Sequence, residues 1–171
     1  MITFQSVTSI DEGEFDRLFF ASLRYLDGGS YPFWVCGQLI DTQKRDHYRE
    51  AYLRMLQHSD GAVWRVSDES GALMLNAGMK NGSALNWCCS LIGVNTAGSR
   101  SYLYSDEYRT ARDAYWQEIG VTTWVLETAG PNTPIHEHIK RRVTSNTLGG
   151  SAVETVRPIN DDITLLDIAI S

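Results

Sequence analysis

The sequence predicts an α+β domain: a mixed, mainly antiparallel sheet flanked by about four helices. Three observations lead there. Two amphipathic helical stretches come first, from Glu12 to Leu26 and from Asp41 or Thr42 to about Gln57. Three apolar strands separated by short turns follow, at 62–67, 72–80 and 83–94, and short turns make antiparallel neighbours. A helix at 106–119 then separates the third of these from another apolar strand at 121–127. A helical crossover of that kind brings two strands in parallel, so the sheet must be mixed.

Each element has a local cause. Ile2 to Val7 alternates apolar and polar residues as a short strand does, and Thr8 or Ser9 can cap the helix that follows. In the first helix Phe15, Leu18, Phe19, Leu23 and Leu26 recur at three and four, with Ser22 as the exception in the stripe. Asp11, Glu12 and Glu14 suit its positive end, and Gly28 and Gly29 end it. In the second helix Tyr48, Ala51, Tyr52, Met55 and Leu56 share the face expected to be buried. Lys44, Arg45, Arg49, Glu50 and Arg54 are expected on the wet face. Between the two helices, Tyr31 to Ile40 is too apolar for a solvated loop, and reads as a lid, a pocket lining or a homodimer interface.

Val63, Trp64 and Val66 mark the next strand, residues 68–71 a turn, and Asn81-Gly82 a tight hairpin. After the strand at 121–127, the Ala129-Gly130-Pro131 turn and a capping Asn132 predict a helix from about Thr133 to Val143. Ile135, Ile139 and Val143 would face inward. Strands at 151–157 and 163–170 form a closing hairpin.

Composition bounds the function. The 171 residues suit a single domain, 1–171, large enough to bury a real core, and 43% apolar with 21% charged residues is ordinary for a globular chain. A formal net charge of −6 argues against a broad basic face for nucleic acid. The small Lys140-Arg141-Arg142 cluster suits a solvated helix end. Cys36, Cys88 and Cys89 are odd in number and lack C-x-x-C spacing, which gives neither a disulfide framework nor a zinc site, and no metal is expected. The opening MITFQSVTSIDEGEFD lacks a basic-then-apolar leader pattern, and no run approaches membrane-spanning length. Cytoplasmic residence with reduced thiols is the expected default, with no membrane partner.

The chemistry centres on the polar turn at 95–105. It ends where a helix begins, and a helix start has unpaired N–H groups and a partial positive charge that favour a phosphate. Leu91-Ile92-Gly93-Val94 precedes this turn, and Arg100 lies within it. With these residues and the order of elements in place, the chain resembles the GCN5-related N-acetyltransferase (GNAT) family across most of its length. Leu91 to Val94 is similar to the hydrophobic run that precedes the family's Arg/Gln-x-x-Gly-x-Gly/Ala loop, which holds the coenzyme A pyrophosphate. Arg100 falls where that Arg or Gln stands. The glycines do not follow it: Ser101, Tyr102, Leu103, Tyr104 and Ser105 do, so the loop is degenerate. Glycines let successive amides approach the pyrophosphate; a serine hydroxyl offers a substitute donor, and leucine does not. Glu127 to Asn132 followed by a helix resembles the family's strand, Asn and helix, in which Asn contacts the cofactor arm. The family's thiolate-protonating Tyr falls near Lys140, where this chain has no Tyr, though His136 and His138 are close in sequence.

The resemblance implies an acyl-CoA-dependent N-acyltransferase. Acetyl-CoA or another acyl-CoA would be the co-substrate and an amine the acceptor. Ile92, Gly93, Val94, Arg100, Ser101, Tyr102, Leu103, Tyr104, Ser105 and Asn132 would hold the cofactor. Backbone amides near Ile92 to Val94 would bind the acyl carbonyl in the gap where the two parallel strands part. Glu127 and His136 are candidates for proton transfer. The alternative, from the missing glycines and Tyr, is a GNAT-like scaffold that has lost cofactor binding and serves as a binding, inhibitory or assembly protein.

Overall fold

A computed structural model describes residues 1–26, 40–93, 105–129, 152–158 and 163–169. The elements are β1 (Thr3–Ser6), α1 (Glu12–Leu26), α2 (Asp41–Gln57), β2 (Gly61–Asp68), β3 (Gly71–Asn81) and β4 (Ala84–Ile92). They continue with α3 (Asp106–Glu118), β5 (Thr123–Ala129), β6 (Ala152–Pro158) and β7 (Ile163–Ala169). The strands form one seven-stranded sheet in the order β1-β2-β3-β4-β5-β7-β6. Every neighbour is antiparallel except β4 and β5, so the sheet is mixed as the sequence predicts. The expected helix at 133–143 and most of the 31–40 segment lie outside the described residues.

Alternation along the strands divides the core in two. Val63, Leu75, Ala77 and Leu91 point to one face, where Phe15, Leu18 and Phe19 of α1 and Tyr48 and Tyr52 of α2 cover them. Trp64, Val66, Met74, Leu85 and Trp124 point to the other, under Tyr108, Tyr115 and Trp116 of α3. Helices therefore lie on both faces, and β3, in the middle, is buried from Ala72 to Gly78.

Turn chemistry follows the sequence, but the cap of α1 lies closer to the helix than Thr8 or Ser9: it is Asp11, directly before Glu12. The Asp11 carboxylate accepts the Glu14 N–H at 2.7 Å at the start of α1. Gly82 has φ +61° in the β3–β4 hairpin, and Gly120 has φ +72° just after α3. The two helices on one face are tied by Arg49 Nε donating to Glu12 at 2.7 Å and by Arg45 near Asp16 at 3.4 Å. The Arg49 hydrogen bond holds the Glu12 carboxyl below the usual carboxylate range.

One side chain departs from the sequence reading. Lys44, expected on the wet face, is 9% exposed, its ammonium 3.9 Å from Asp41. A four-carbon stem packs on apolar neighbours while its charge reaches a carboxylate, which helical periodicity does not register. Ser22, the exception in the apolar stripe, is buried with the stripe at 1% exposed.

Tyr108 makes stability sensitive to alkali. It is 4% exposed, its hydroxyl 3.9 Å from Met74 Sδ, and burial pushes its phenol up to about 12 against the opposing charge of Arg112. A raised folded-state value means that the contribution is intact below pH 10, where both states are neutral. It is lost as pH rises from 10 towards 12, because only the unfolded chain ionises there. The loss approaches roughly 2–3 kcal/mol only once pH has passed both values. Urea unfolding at pH 8 and pH 11 should give a smaller alkaline loss for Tyr108→Phe than for the wild type. Equal losses would contradict this assignment.

Candidate active site

The parting of β4 from β5 builds the site. Their parallel pairing runs from Ala84↔Thr123 to Trp87↔Leu126, and among the described residues it stops there. β4 continues beside β3 as far as Ile92↔Met74, whereas β5 continues beside β7 as far as Ala129↔Ile163. Each strand keeps its outer partner and leaves its inner one, which opens a fork in the middle of the sheet. A bulge lies at the branch point: Ala77 faces Cys89 and Gly78 faces Trp87, so Cys88 is the extra residue. A bulge bends its strand and increases the local twist, which turns the arm of β4 away from β5. Gly78 is needed opposite it, because a Cβ there would lie 2.5 Å from the Asn86 carbonyl oxygen.

The arm of β4 carries two of the candidate cofactor residues. The Gly93 N–H donates to Leu73 O at 2.8 Å, back towards β3. N–H groups alternate between the two edges of a strand, so that of Ile92 points to the edge facing the fork. It is already bonded there: Ser22 Oγ, from α1, accepts it at 2.6 Å. The resemblance implies that both amides are ready for an acyl carbonyl, and the structure gives each an internal partner. Glu127 is the first β5 residue beyond the last β4–β5 pair, opposite Leu165 of β7. The register thus brings Glu127 to the fork itself.

The start of α3 supplies the next part. Ser105 is its N-cap, in extended conformation, and its Oγ accepts the Tyr108 N–H at 3.2 Å. Asp106 pairs with Arg109, and Glu107 accepts the Ile2 N–H at 2.8 Å. These two carboxylates suit the helix dipole but repel a phosphate approaching the same end. Val94, Arg100, Ser101, Tyr102, Leu103, Tyr104, Asn132 and His136 lie outside the described residues. Ser22 is the residue that the sequence reading missed here. A hydroxyl inside an apolar stripe was its signal, since a buried polar group needs a partner. No group of His, Cys, Asp and Glu able to hold a metal ion occurs among the described residues, and no described helix is long and apolar enough to cross a membrane. A cavity of about 430 Å³ between β1 and α1, lined by Ser6, Ser9, Asp11, Glu14 and Arg65 among others, is separate from the fork and includes no candidate residue.

A seven-stranded mixed sheet that forks between its one parallel pair, with a capped helix following one arm of the fork, is the fold of the GCN5-related N-acetyltransferases. Solved structures of such enzymes share it over nearly the whole chain. The Campylobacter jejuni N-acetyltransferase PseH is similar at a TM-score of 0.58 and 12% identity, covering 99% of both chains. Spermidine N-acetyltransferase from Vibrio cholerae, solved with CoA and spermine, is similar at 0.59 and 13%, covering 99% of this chain and 95% of that one. RimL, a ribosomal-protein alpha-N-acetyltransferase solved with coenzyme A, is similar at 0.60 and 10%, covering 98% and 94%. No family model matches the sequence, and no curated protein does.

Proposed function

We propose that this chain, as a single domain, transfers an acyl group from acetyl-CoA or another acyl-CoA to an amine. The fork carries the reading, because an extended pantetheine arm can add to the edge of β4 that β5 leaves, as a strand would. The similar enzymes that hold CoA or acetyl-CoA support an acyl-CoA donor, and the spermidine enzyme supports an amine acceptor. Arg100, Ser101 and Ser105 would meet the phosphates, Val94 and Asn132 the arm, and Tyr102, Leu103 and Tyr104 would shape the loop. Glu127, at the branch point, would take the proton from the acceptor, and His136 would return one to the thiolate. A cytoplasmic setting fits a CoA thioester and reduced thiols. The aromatic 31–40 segment would cover the acceptor side or join two copies.

Acetyl-CoA should therefore stabilise the protein. A ligand at 100 times its dissociation constant adds about 2.7 kcal/mol, visible as a rise in melting temperature. Arg100→Ala and Asn132→Ala should reduce the rise. No rise at millimolar acetyl-CoA or CoA would overturn the donor assignment. It would favour the second reading, a scaffold that binds a partner instead of a cofactor. The carboxylates of Asp106 and Glu107 at the start of α3 support that second reading.

A further inference from the structure

We propose that Ser22 is a placeholder for the acyl carbonyl, its hydroxyl occupying the amide that a bound thioester must claim. The inference rests on the acyl-CoA reading above. Three distances define the arrangement. Ser22 Oγ lies 2.6 Å from Ile92 N, 2.7 Å from Leu18 O and 3.1 Å from Ile92 O. A hydroxyl has one proton to give, and Leu18 O is the nearer acceptor, four residues back in the same helix. The oxygen therefore receives the Ile92 N–H while its own proton turns into α1 and away from the fork.

This oxygen sits at hydrogen-bonding distance from the fork-facing amide nearest the end of β4, where a carbonyl oxygen would bind. Ser22 is 1% exposed, so without it the Ile92 N–H would lose a built-in acceptor in a largely dry place. Release is inexpensive. On yielding the amide to a thioester, Ser22 keeps its donated bond to Leu18 and gives up one accepted bond. The exchange is selective, since CoA with a free thiol brings no acyl carbonyl to the amide and has nothing to substitute for the hydroxyl. Ser22 thus sets how strongly the site distinguishes an acylated carrier from the spent one.

Titration calorimetry of the full chain with acetyl-CoA and, separately, CoA tests this. Ser22→Ala removes the competing oxygen, so the ratio of acetyl-CoA affinity to CoA affinity should rise about fivefold, the worth of one neutral hydrogen bond. Ser22→Cys, nearly the same size but a weak acceptor, should raise it in the same direction and serves if the alanine variant is misfolded by circular dichroism. A folded variant with an unchanged or lower ratio, in a protein that binds both ligands, overturns the placeholder and leaves the donor assignment standing. Wild type and variants that all fail to bind either ligand overturn the donor assignment, and the placeholder with it.

Discussion

Replacing Trp116 by alanine should lower the unfolding free energy by about 3–5 kcal/mol, the usual cost of emptying a large aromatic site in a core. Trp116 is fully buried on the face of α3 that meets the sheet. Its ring centroid is 5.1 Å from that of Trp64 on β2, at an interplanar angle of 74°. Edge-to-face pairs of this kind add about 0.5–1.5 kcal/mol beyond the area they bury. Tyr115 reaches the edge of the sheet beside it, its hydroxyl 2.7 Å from Ser6 Oγ. Removing Trp116 therefore loosens the seat of α3 rather than one isolated contact. Urea unfolding followed by fluorescence and circular dichroism measures the loss, and a value below about 1 kcal/mol would contradict the packing described. Trp116→Phe, which keeps a ring against Trp64, should lose about half as much. Because Ser105 caps α3, the alanine variant should also bind acetyl-CoA more weakly if the donor assignment holds.

The strands and helices were legible because their signals are local. The periodicity of Phe15, Leu18 and Phe19 and the Gly82 hairpin each act within a few residues, and both survive into the structure. The parallel relation of β4 and β5 was legible too, since a helix between two strands leaves few alternatives. What the sequence could not reveal depends on pairing between distant residues. The bulge at Cys88 exists only relative to Ala77 and Gly78, a register that the local pattern of the strand does not carry. Arg112, an arginine on α3, is only 2% exposed, bonded to Asp113 at 2.8 Å and 5.7 Å from the Trp124 ring centroid, a burial set by packing and not by local sequence.

The candidate site was legible in part for the same reason. Ile92, Gly93, Glu127 and Ser105 reach the fork or its adjoining helix, as a strand-turn-helix-strand order requires. That the Ile92 and Gly93 amides already have partners depends on Ser22 and Leu73, one from a helix 70 residues away and one from the neighbouring strand. Sequence spacing identifies amides that could be free at a strand end. Only packing decides which of them are.

Gly61→Ala should be the most damaging single methyl added at any of the described glycines, at a cost of about 3 kcal/mol or more, the upper range for overpacking. Gly61 opens β2 just after α2, and a Cβ built there lies 1.8 Å from Met55 O, 2.7 Å from Met55 C and 3.1 Å from Met55 Cα. All three are backbone atoms, so no side-chain rotamer relieves the overlap. Chain movement is opposed from both sides. The Gly61 N–H donates to His58 O at 3.0 Å, while Asp60 O accepts the Lys80 N–H at 2.7 Å from the far end of β3. Relief requires either the last turn of α2 to lift from the sheet or the β2–β3 register to shift. Both would disturb the cluster in which Tyr48 and Tyr52 cover Val63 and Leu75. Gly82→Ala makes the control: at φ +61°, with nothing within 4 Å of its Cβ, it carries only backbone strain of about 1–2 kcal/mol. Equilibrium urea unfolding should rank Gly61→Ala well below Gly82→Ala in stability. The reverse order would mean that α2 and β2 separate readily, and that close backbone approach is not what demands glycine at position 61.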